Sequence, residues 1–394
     1  MMYNIKTLNK IAACGTDLFD RGKYAVTDNS DTPDAILLRS ASMHDMEFNP
    51  ELLAIGRAGA GTNNIPVDKC SEKGIVVFNT PGANANGVKE LTICGLLLAS
   101  RKITAAIDEC KTLCGKGDEV PKLVEKVKGA YGGCEIKGKK LGVVGLGAIG
   151  ALVANAASDL GMEVYGFDPF LSVGGALSLS RKLKYVKAVK EIYENCDYIS
   201  LNAPVTPETK GMINSAAISS MKKNVRILNF ARSELVDENA VIDALKNGGM
   251  ACYITDFPTD KILTGAKELE ESGKVGCVVT IPHLGASTEE SEDNCAIMAA
   301  NQVIDYIENG NIINSVNLPN VSMAKSGDFR LCVVHKNIDG VLTKITDIGQ
   351  NIENMESRSK GDYAYTILDV KGSSDAVAER VKGIGEVISV RILK

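Results

Sequence analysis

Only three histidines occur among 394 residues, His44, His283 and His335. Histidine is the usual proton shuttle near neutral pH, so this scarcity narrows the search for an acid or base. His283 follows the apolar run VVTIP, Arg232 follows ILNFA, and Asp260 closes TDFPTD after the run 250–255. Each stands at the C-terminal end of a predicted strand, where doubly wound sheets form their sites. A cation, a proton carrier and a carboxylate are what hydride transfer to or from a hydroxy acid needs. The cation holds the substrate carboxylate and polarises the carbonyl, the base moves the hydroxyl proton, and the carboxylate tunes the base. A hydride carrier has its own motif. LGVVGLGAIG at 141–150 reads G-x-G-x-x-G directly after an apolar strand. Gly145 permits a tight turn, Gly147 lets the backbone approach a pyrophosphate, and Gly150 lets the following helix pack on the strand. The predicted helix 148–160 then offers unpaired N–H groups and its positive dipole end to the phosphates. Asp168 closes the next strand, where a carboxylate accepts bonds from ribose hydroxyls. Pro169 and Phe170 follow it with no arginine alongside, which favours NAD over NADP.

These groups need a scaffold. The runs 33–38, 52–56 and 74–78 read as strands buried on both faces, the mark of a parallel sheet. Residues 86–101 carry apolar positions at helical spacing, and 110–140 read as a mobile connection with one polar helix. From 141 the rhythm is βαβ, with strands at 141–145, 162–167, 197–201, 225–230, 250–255 and 277–281, so a doubly wound sheet follows. A long helix is predicted over 289–309. The tail, 329–394, reads strand, helix, strand, strand, helix, strand, a ferredoxin-like unit with apolar runs of its own.

Composition removes other classes. Lys+Arg 44 against Asp+Glu 49 gives a net charge of −5 with no basic block, a poor match to nucleic acid. No run approaches the roughly 20 apolar residues of a membrane helix, and the N-terminus lacks a signal-peptide core. The eleven cysteines fit neither zinc spacing nor a disulfide framework, so no metal is expected and a cytoplasmic location with reduced thiols is.

NFARSELVDENAVIDAL, TDFPTD and PHLGASTEES, together with NTPGANANGVKELTICGLLLASR and the glycine motif, resemble the D-isomer-specific 2-hydroxyacid dehydrogenases over essentially the whole chain. The resemblance implies a Rossmann-type NAD domain (98–283) inserted in a flavodoxin-like substrate domain (1–97, completed by 284–320), followed by a tail (326–394) similar to an ACT domain. It implies that Arg232 binds the substrate carboxylate and keto oxygen and that His283 is the acid/base. The partner of that histidine is normally Glu; the matching position is Asp260, one methylene shorter, and Asp256 is a second candidate. For NAD the implied contacts are Gly145, Gly147, Ala148, Ile149, Gly150, Asp168, Ala203, Pro204, Thr209, Phe230, Ala231, Asp256, His283 and Gly285.

The likeness is strongest to members acting on 3-phosphoglycerate, oxidised to 3-phosphohydroxypyruvate at the start of L-serine synthesis. It implies that Arg39, Ser40 and Asn84 contact the phosphate and that Ala58, Gly59 and Ala60 present amides to the carboxylate. Lys89, in the first turn of a helix, is either a further phosphate ligand or part of a solvated face. In the tail, His335, Asn337 and Asn351 match the serine-binding positions of feedback-regulated relatives, with a purely structural dimerisation module as the alternative. Pairing of the helix 86–101 and of the tail points to a homodimer or homotetramer. Two rival readings stay open: a dehydrogenase of an unphosphorylated acid such as glyoxylate or hydroxypyruvate, and a non-catalytic NAD-sensing protein of the same fold.

Overall fold

The computed structural model describes residues 2–394, and the chain divides into two compact units, Met1–Asn84 with Glu289–Lys394, and Ala85–Thr288. The first unit opens with five parallel strands, β1 (Tyr3–Thr7), β2 (Tyr24–Thr27), β3 (Ala35–Leu38), β4 (Ala54–Arg57) and β5 (Val76–Phe78), in the order β2-β1-β3-β4-β5. This is the flavodoxin-like order. Every residue of β3 and β5 is buried, as continuous apolar runs require.

The second unit holds seven parallel strands: β6 (Lys140–Val144), β7 (Glu163–Phe167), β8 (Lys184–Tyr185), β9 (Tyr198–Leu201), β10 (Val225–Asn229), β11 (Met250–Thr255) and β12 (Val278–Thr280). Their order is β12-β11-β10-β9-β6-β7-β8, with direction of winding reversing between β6 and β9. That is a Rossmann arrangement, whose ligand crevice lies at the switch point. The helix Ala85–Ser100 packs on the helix Ala148–Asp159 and on β10 and β11. A Cβ on Gly95 would stand 2.9 Å from the Phe230 ring, so this helix sits close on the sheet. The unit boundary therefore falls at 84/85, not at 97/98, and the return falls at 288/289, not at 283/284. The predicted connection 110–140 carries more structure than expected, with helices at Ile103–Thr112 and Val120–Val127 and 3-10 turns at Gly117–Glu119 and Lys128–Tyr131. None of their residues except Leu113 beside them is buried.

The tail forms an antiparallel sheet of β13 (Phe329–Lys336), β14 (Asn351–Lys360), β15 (Tyr363–Lys371) and β16 (Val387–Leu393), in the order β14-β15-β13-β16. One face carries Leu331, Val333, Leu368 and Val370 against its own helices; the other carries Cys332, Val334, Tyr365 and Ile367 into the core of the first unit. The tail thus shares a core with the substrate-domain fold. It also caps the helix Glu289–Asn309. Arg391 donates to the Tyr306 and Ile307 carbonyls (3.2 and 2.8 Å), Arg330 to Asn309 (2.7 Å) and the Tyr365 hydroxyl to Gly310 (2.6 Å). These carbonyls lie in the last turn of the helix and just past it, where intrahelical partners run out. Arg330 is fully buried and forks onto Asp369 at 2.6 and 2.8 Å. Glu289, Glu290 and Glu292 occupy the other end of that helix, where the dipole favours negative charge. Among the described residues, no helix is long and apolar enough to cross a membrane.

Candidate active site

Arg232, Asp256 and His283 follow the carboxyl ends of three adjacent parallel strands, β10, β11 and β12. Asn229, the last residue of β10 and fully buried, builds the first turn. Its Oδ1 accepts from Ala231 and Arg232 N–H (3.2 and 3.3 Å) and its Nδ2 donates to the Arg232 carbonyl (2.8 Å). This is an Asx turn, in which the side chain replaces a backbone partner. Its carbonyl also accepts from the Asp256 N–H at 3.1 Å, which ties the second strand end to the first. The Arg232 guanidinium is exposed, resting on the Ala231 carbonyl at 2.6 Å.

Asp256 is 1% exposed and organises the loop that carries the histidine. The His283 N–H donates to the Asp256 carbonyl (3.0 Å), Leu284 N–H to Oδ1 (2.7 Å) and Gly285 N–H to Oδ2 (2.8 Å). Three consecutive amides converge on one residue. They hold His283 at φ 56°, a left-handed conformation that costs a non-glycine residue roughly 1–2 kcal/mol. A Cβ on Gly285 would meet Asp256 Oδ2 at 3.0 Å, so the close approach requires glycine there. The imidazole is exposed, its ring edge-on to Phe257 at 5.1 Å.

The expected pairing of Asp260 with His283 is not among the contacts of this structure. Asp260 is exposed in the first turn of the helix Asp260–Glu271, where it meets the helix dipole. The helix starts from Thr259, whose hydroxyl accepts from Ile262 N–H (3.2 Å) and donates to Glu238 (2.9 Å). Asp256 does not pair with the imidazole either; both its oxygens are taken by backbone amides. The carboxylate holds the main-chain amides of Leu284 and Gly285 rather than the imidazole. Asn229 was missed by sequence reasoning, although an asparagine closing a strand before a turn is a readable signal.

The nucleotide motif folds as its spacing demands. Gly145 has φ 90°, and a Cβ there would stand 2.6 Å from the Asn202 carbonyl oxygen. A Cβ on Gly150 would overlap the Gly145 carbonyl, whereas one on Gly147 would meet nothing within 4 Å, so the turn is closed toward the sheet and open outward. Gly147 caps the helix Ala148–Asp159, leaving the first-turn amides of Ala148, Ile149 and Gly150 directed outward. Asp168 accepts from Leu146 N–H (2.9 Å) within this loop and from Phe170 N–H (2.8 Å). Ala203 and Pro204 lead into a turn closed by the Thr209 hydroxyl, which donates to the Pro204 carbonyl at 2.6 Å. The Phe230 ring is buried in the core.

The expected substrate residues lie mostly in the first unit. Asn9 Oδ1 accepts from the Arg39, Ser40 and Ala41 amides (3.2, 3.2 and 2.8 Å), folding that loop around one oxygen. Arg39 pairs with Glu292 at 2.6 Å. Ala58 is buried, Gly59 has φ 149° with the Arg57 guanidinium against its α-carbon, and the Ala60 carbonyl accepts from Asn79 Nδ2 at 2.7 Å. Asn84 is half-buried. Lys89 belongs to the second unit, its Nζ 3.6 Å from Glu90.

In the tail the expected effector set does not assemble within one copy. His335 is 4% exposed, with Nδ1 bonded to the Lys336 carbonyl and Nε2 to the Thr366 hydroxyl, both at 2.9 Å. Burial pushes its pKa down, so it sits as a neutral ring inside the sheet. Asn337 donates to the Gly361 carbonyl (3.0 Å) beside the start of β15. Asn351 opens edge strand β14 opposite Lys371, at the far end of β15, and not at a helix end. Along a strand that separation is roughly 30 Å.

Residues 95–285 match the NAD-binding domain of the D-isomer specific 2-hydroxyacid dehydrogenases. The chain belongs to the D-isomer specific 2-hydroxyacid dehydrogenase family, NAD-dependent oxidoreductases acting on CH–OH groups. Among its relatives are enzymes of narrower name. D-3-phosphoglycerate dehydrogenase of Haemophilus influenzae is 32% identical over 355 residues, 88% of this chain and 83% of its own length. That of Escherichia coli (strain K12) is 33% identical over 352 residues, 87% and 82% respectively. A crystal structure of NAD+-bound 3-phosphoglycerate dehydrogenase from Entamoeba histolytica has a TM-score of 0.58 and 27% identity, covering 80% of this chain and 99% of its own. The outward-open turn at Gly147, the free amides behind it and the Asp168 carboxylate fit the pyrophosphate and ribose of NAD.

Proposed function

We propose that the protein oxidises 3-phosphoglycerate to 3-phosphohydroxypyruvate with NAD, the first step of L-serine synthesis. The observation that carries this reading is the pair of strand-end loops presenting Arg232 and His283, locked together through Asn229 and Asp256. Arg232 holds the substrate carboxylate and stabilises charge on the C2 oxygen. His283 takes the hydroxyl proton. NAD, held at the Gly145–Gly150 turn, would supply the acceptor for the C2 hydride. Arg39, Ser40 and Asn84 take the phosphate, with Lys89 as a further cation, and the amides of Ala58, Gly59 and Ala60 take the carboxylate. Phosphate must displace Glu292 from Arg39, which a dianion with more acceptor oxygens can do. The tail serves as an ACT-like module pairing across a homodimer or homotetramer. An L-serine site there takes Asn337 from one copy and Asn351 from another, with His335 supporting the strand from within.

The same Arg39–Glu292 pair favours a second reading, reduction of an unphosphorylated acid such as hydroxypyruvate. One assay separates them: NADH oxidation with 3-phosphohydroxypyruvate, hydroxypyruvate or glyoxylate, with and without L-serine. Turnover on the phosphorylated acid, suppressed by serine, is the expected result. Turnover only on the others overturns the phosphate assignment, and NAD binding without turnover on any overturns the enzyme reading.

A further inference from the structure

Away from the dehydrogenase residues, the first unit holds a pocket of about 460 Å³ between edge strand β14 and the segment 314–320. Arg358, Ser359 and Lys360 form one wall; Asn79, Asn314 and Asn320 stand on the other sides. None of the ten lining residues is acidic, in a chain whose net charge is −5. Arg358 and Lys360 alternate onto one face of β14, the face they share with Tyr365 in the adjacent strand. Arg358 gives its Nε to Glu356 at 2.9 Å, one of five guanidinium donors. Lys360 donates one N–H to the Ser315 carbonyl at 3.0 Å, which holds its ammonium at the pocket and leaves two donors.

We propose that this pocket binds a small phosphate-bearing metabolite. A residue with a guanidinium, one with an ammonium and three with carboxamides line it from different elements; no lining residue is acidic, and Glu356, which holds Arg358 Nε, lies outside the lining and leaves the other guanidinium donors. Donors arrayed around a cavity suit a tetrahedral, multiply charged oxyanion better than a planar carboxylate, which one arginine fork satisfies. The volume exceeds that of inorganic phosphate, so there is room for a few carbons and hydroxyls facing Leu318 and the prolines. The pocket also has a route to the expected substrate loop. Asn79 Nδ2, in its wall, holds the Ala60 carbonyl at 2.7 Å, so a ligand engaging Asn79 bears on the 58–60 loop. The proposal does not depend on which acid the dehydrogenase site takes.

The test is binding of inorganic phosphate to the full chain at low ionic strength, followed by calorimetry. Arg39→Ala first removes the expected phosphate ligand at the substrate site. Phosphate binding is expected to persist in that variant and to weaken about tenfold or more when Arg358→Met and Lys360→Met are added, the loss that follows removal of charged hydrogen-bond partners. Because Lys360 also braces Ser315, exposed Asn320→Asp in the Arg39→Ala background is the second probe; its added negative charge should weaken phosphate without unfolding the chain. Loss of all phosphate binding with Arg39→Ala alone overturns the proposal. So does binding that survives both the Arg358/Lys360 and the Asn320 changes.

Discussion

Asp256→Asn separates the geometry of this site from the expectation carried by family spacing. In the native loop each carboxylate oxygen accepts one backbone N–H, from Leu284 at 2.7 Å and Gly285 at 2.8 Å, in a position 1% exposed. An amide keeps one acceptor and turns an NH2 toward the other N–H. One charge-assisted bond is lost and two donors face each other, a cost of about 1.5–3 kcal/mol. Since His283 is already in a disfavoured backbone conformation, the least costly relief is release of the 283–285 loop. The productive position of the imidazole is then depopulated by the same free energy. At 1.36 kcal/mol per decade, kcat falls about 10- to 150-fold. KM should move little, because Arg232 and the first-unit residues are untouched. Asp260→Asn is the paired control: its side chain is exposed on a helix terminus, so kcat should stay near the parent value. Steady-state NADH oxidation on both variants, with thermal unfolding to detect global loss of structure, gives the answer. An unchanged kcat in Asp256→Asn, or a larger loss in Asp260→Asn, refutes the reasoning and returns Asp260 to the role of histidine partner.

Two further outcomes follow from the same structure. Gly150→Ala places a methyl on the Gly145 carbonyl oxygen, where backbone cannot yield cheaply. It should cost roughly 3 kcal/mol, lower Tm by some 6–12 °C and weaken NAD binding measured by fluorescence titration; an unchanged Tm would contradict the packing described. His335 has a folded pKa depressed by burial below its ordinary value of about 6.5. The unfolded chain therefore binds a proton that the folded chain refuses, so this contribution to stability is complete above the unfolded pKa and is lost as pH falls below it. Between about pH 7.5 and 5.5 the Tm of the parent should fall more than that of His335→Gln, and equal slopes would show that the ring titrates normally.

The strand-end loops that carry Arg232 and His283 were legible for the same reason as the nucleotide motif. Each is a short run whose glycine, proline or strand-end position restricts the backbone within a few residues. Edges and boundaries were less so. β1 and β2 are half-polar and lack the continuous apolar runs that marked β3 to β5. The 103–131 helices contain no buried residue and so carry no core-facing signal of the usual kind. The helix Ala85–Ser100 was visible as a helix, but its membership of the second unit rests on Gly95 fitting under Phe230, which no local pattern encodes.

Sequence alone determined the strand–turn–helix that cradles a dinucleotide, the acid at Asp168, the strand-end positions of Arg232 and His283, and the βαββαβ order of the tail. All of these are written in periodicity and turn chemistry over windows of ten to twenty residues. Tertiary structure decided which carboxylate meets the loop that carries His283, because Asp256 and Asp260 are equivalent by type and only four residues apart. One is folded inward under three amides and the other outward on a helix terminus. It likewise decided that His335 is a buried strut, that Asn337 and Asn351 stand at opposite ends of a sheet, and that the tail caps the helix Glu289–Asn309. Those outcomes depend on which residues meet through space, and a side chain acquires its chemistry from the neighbours that burial forces on it.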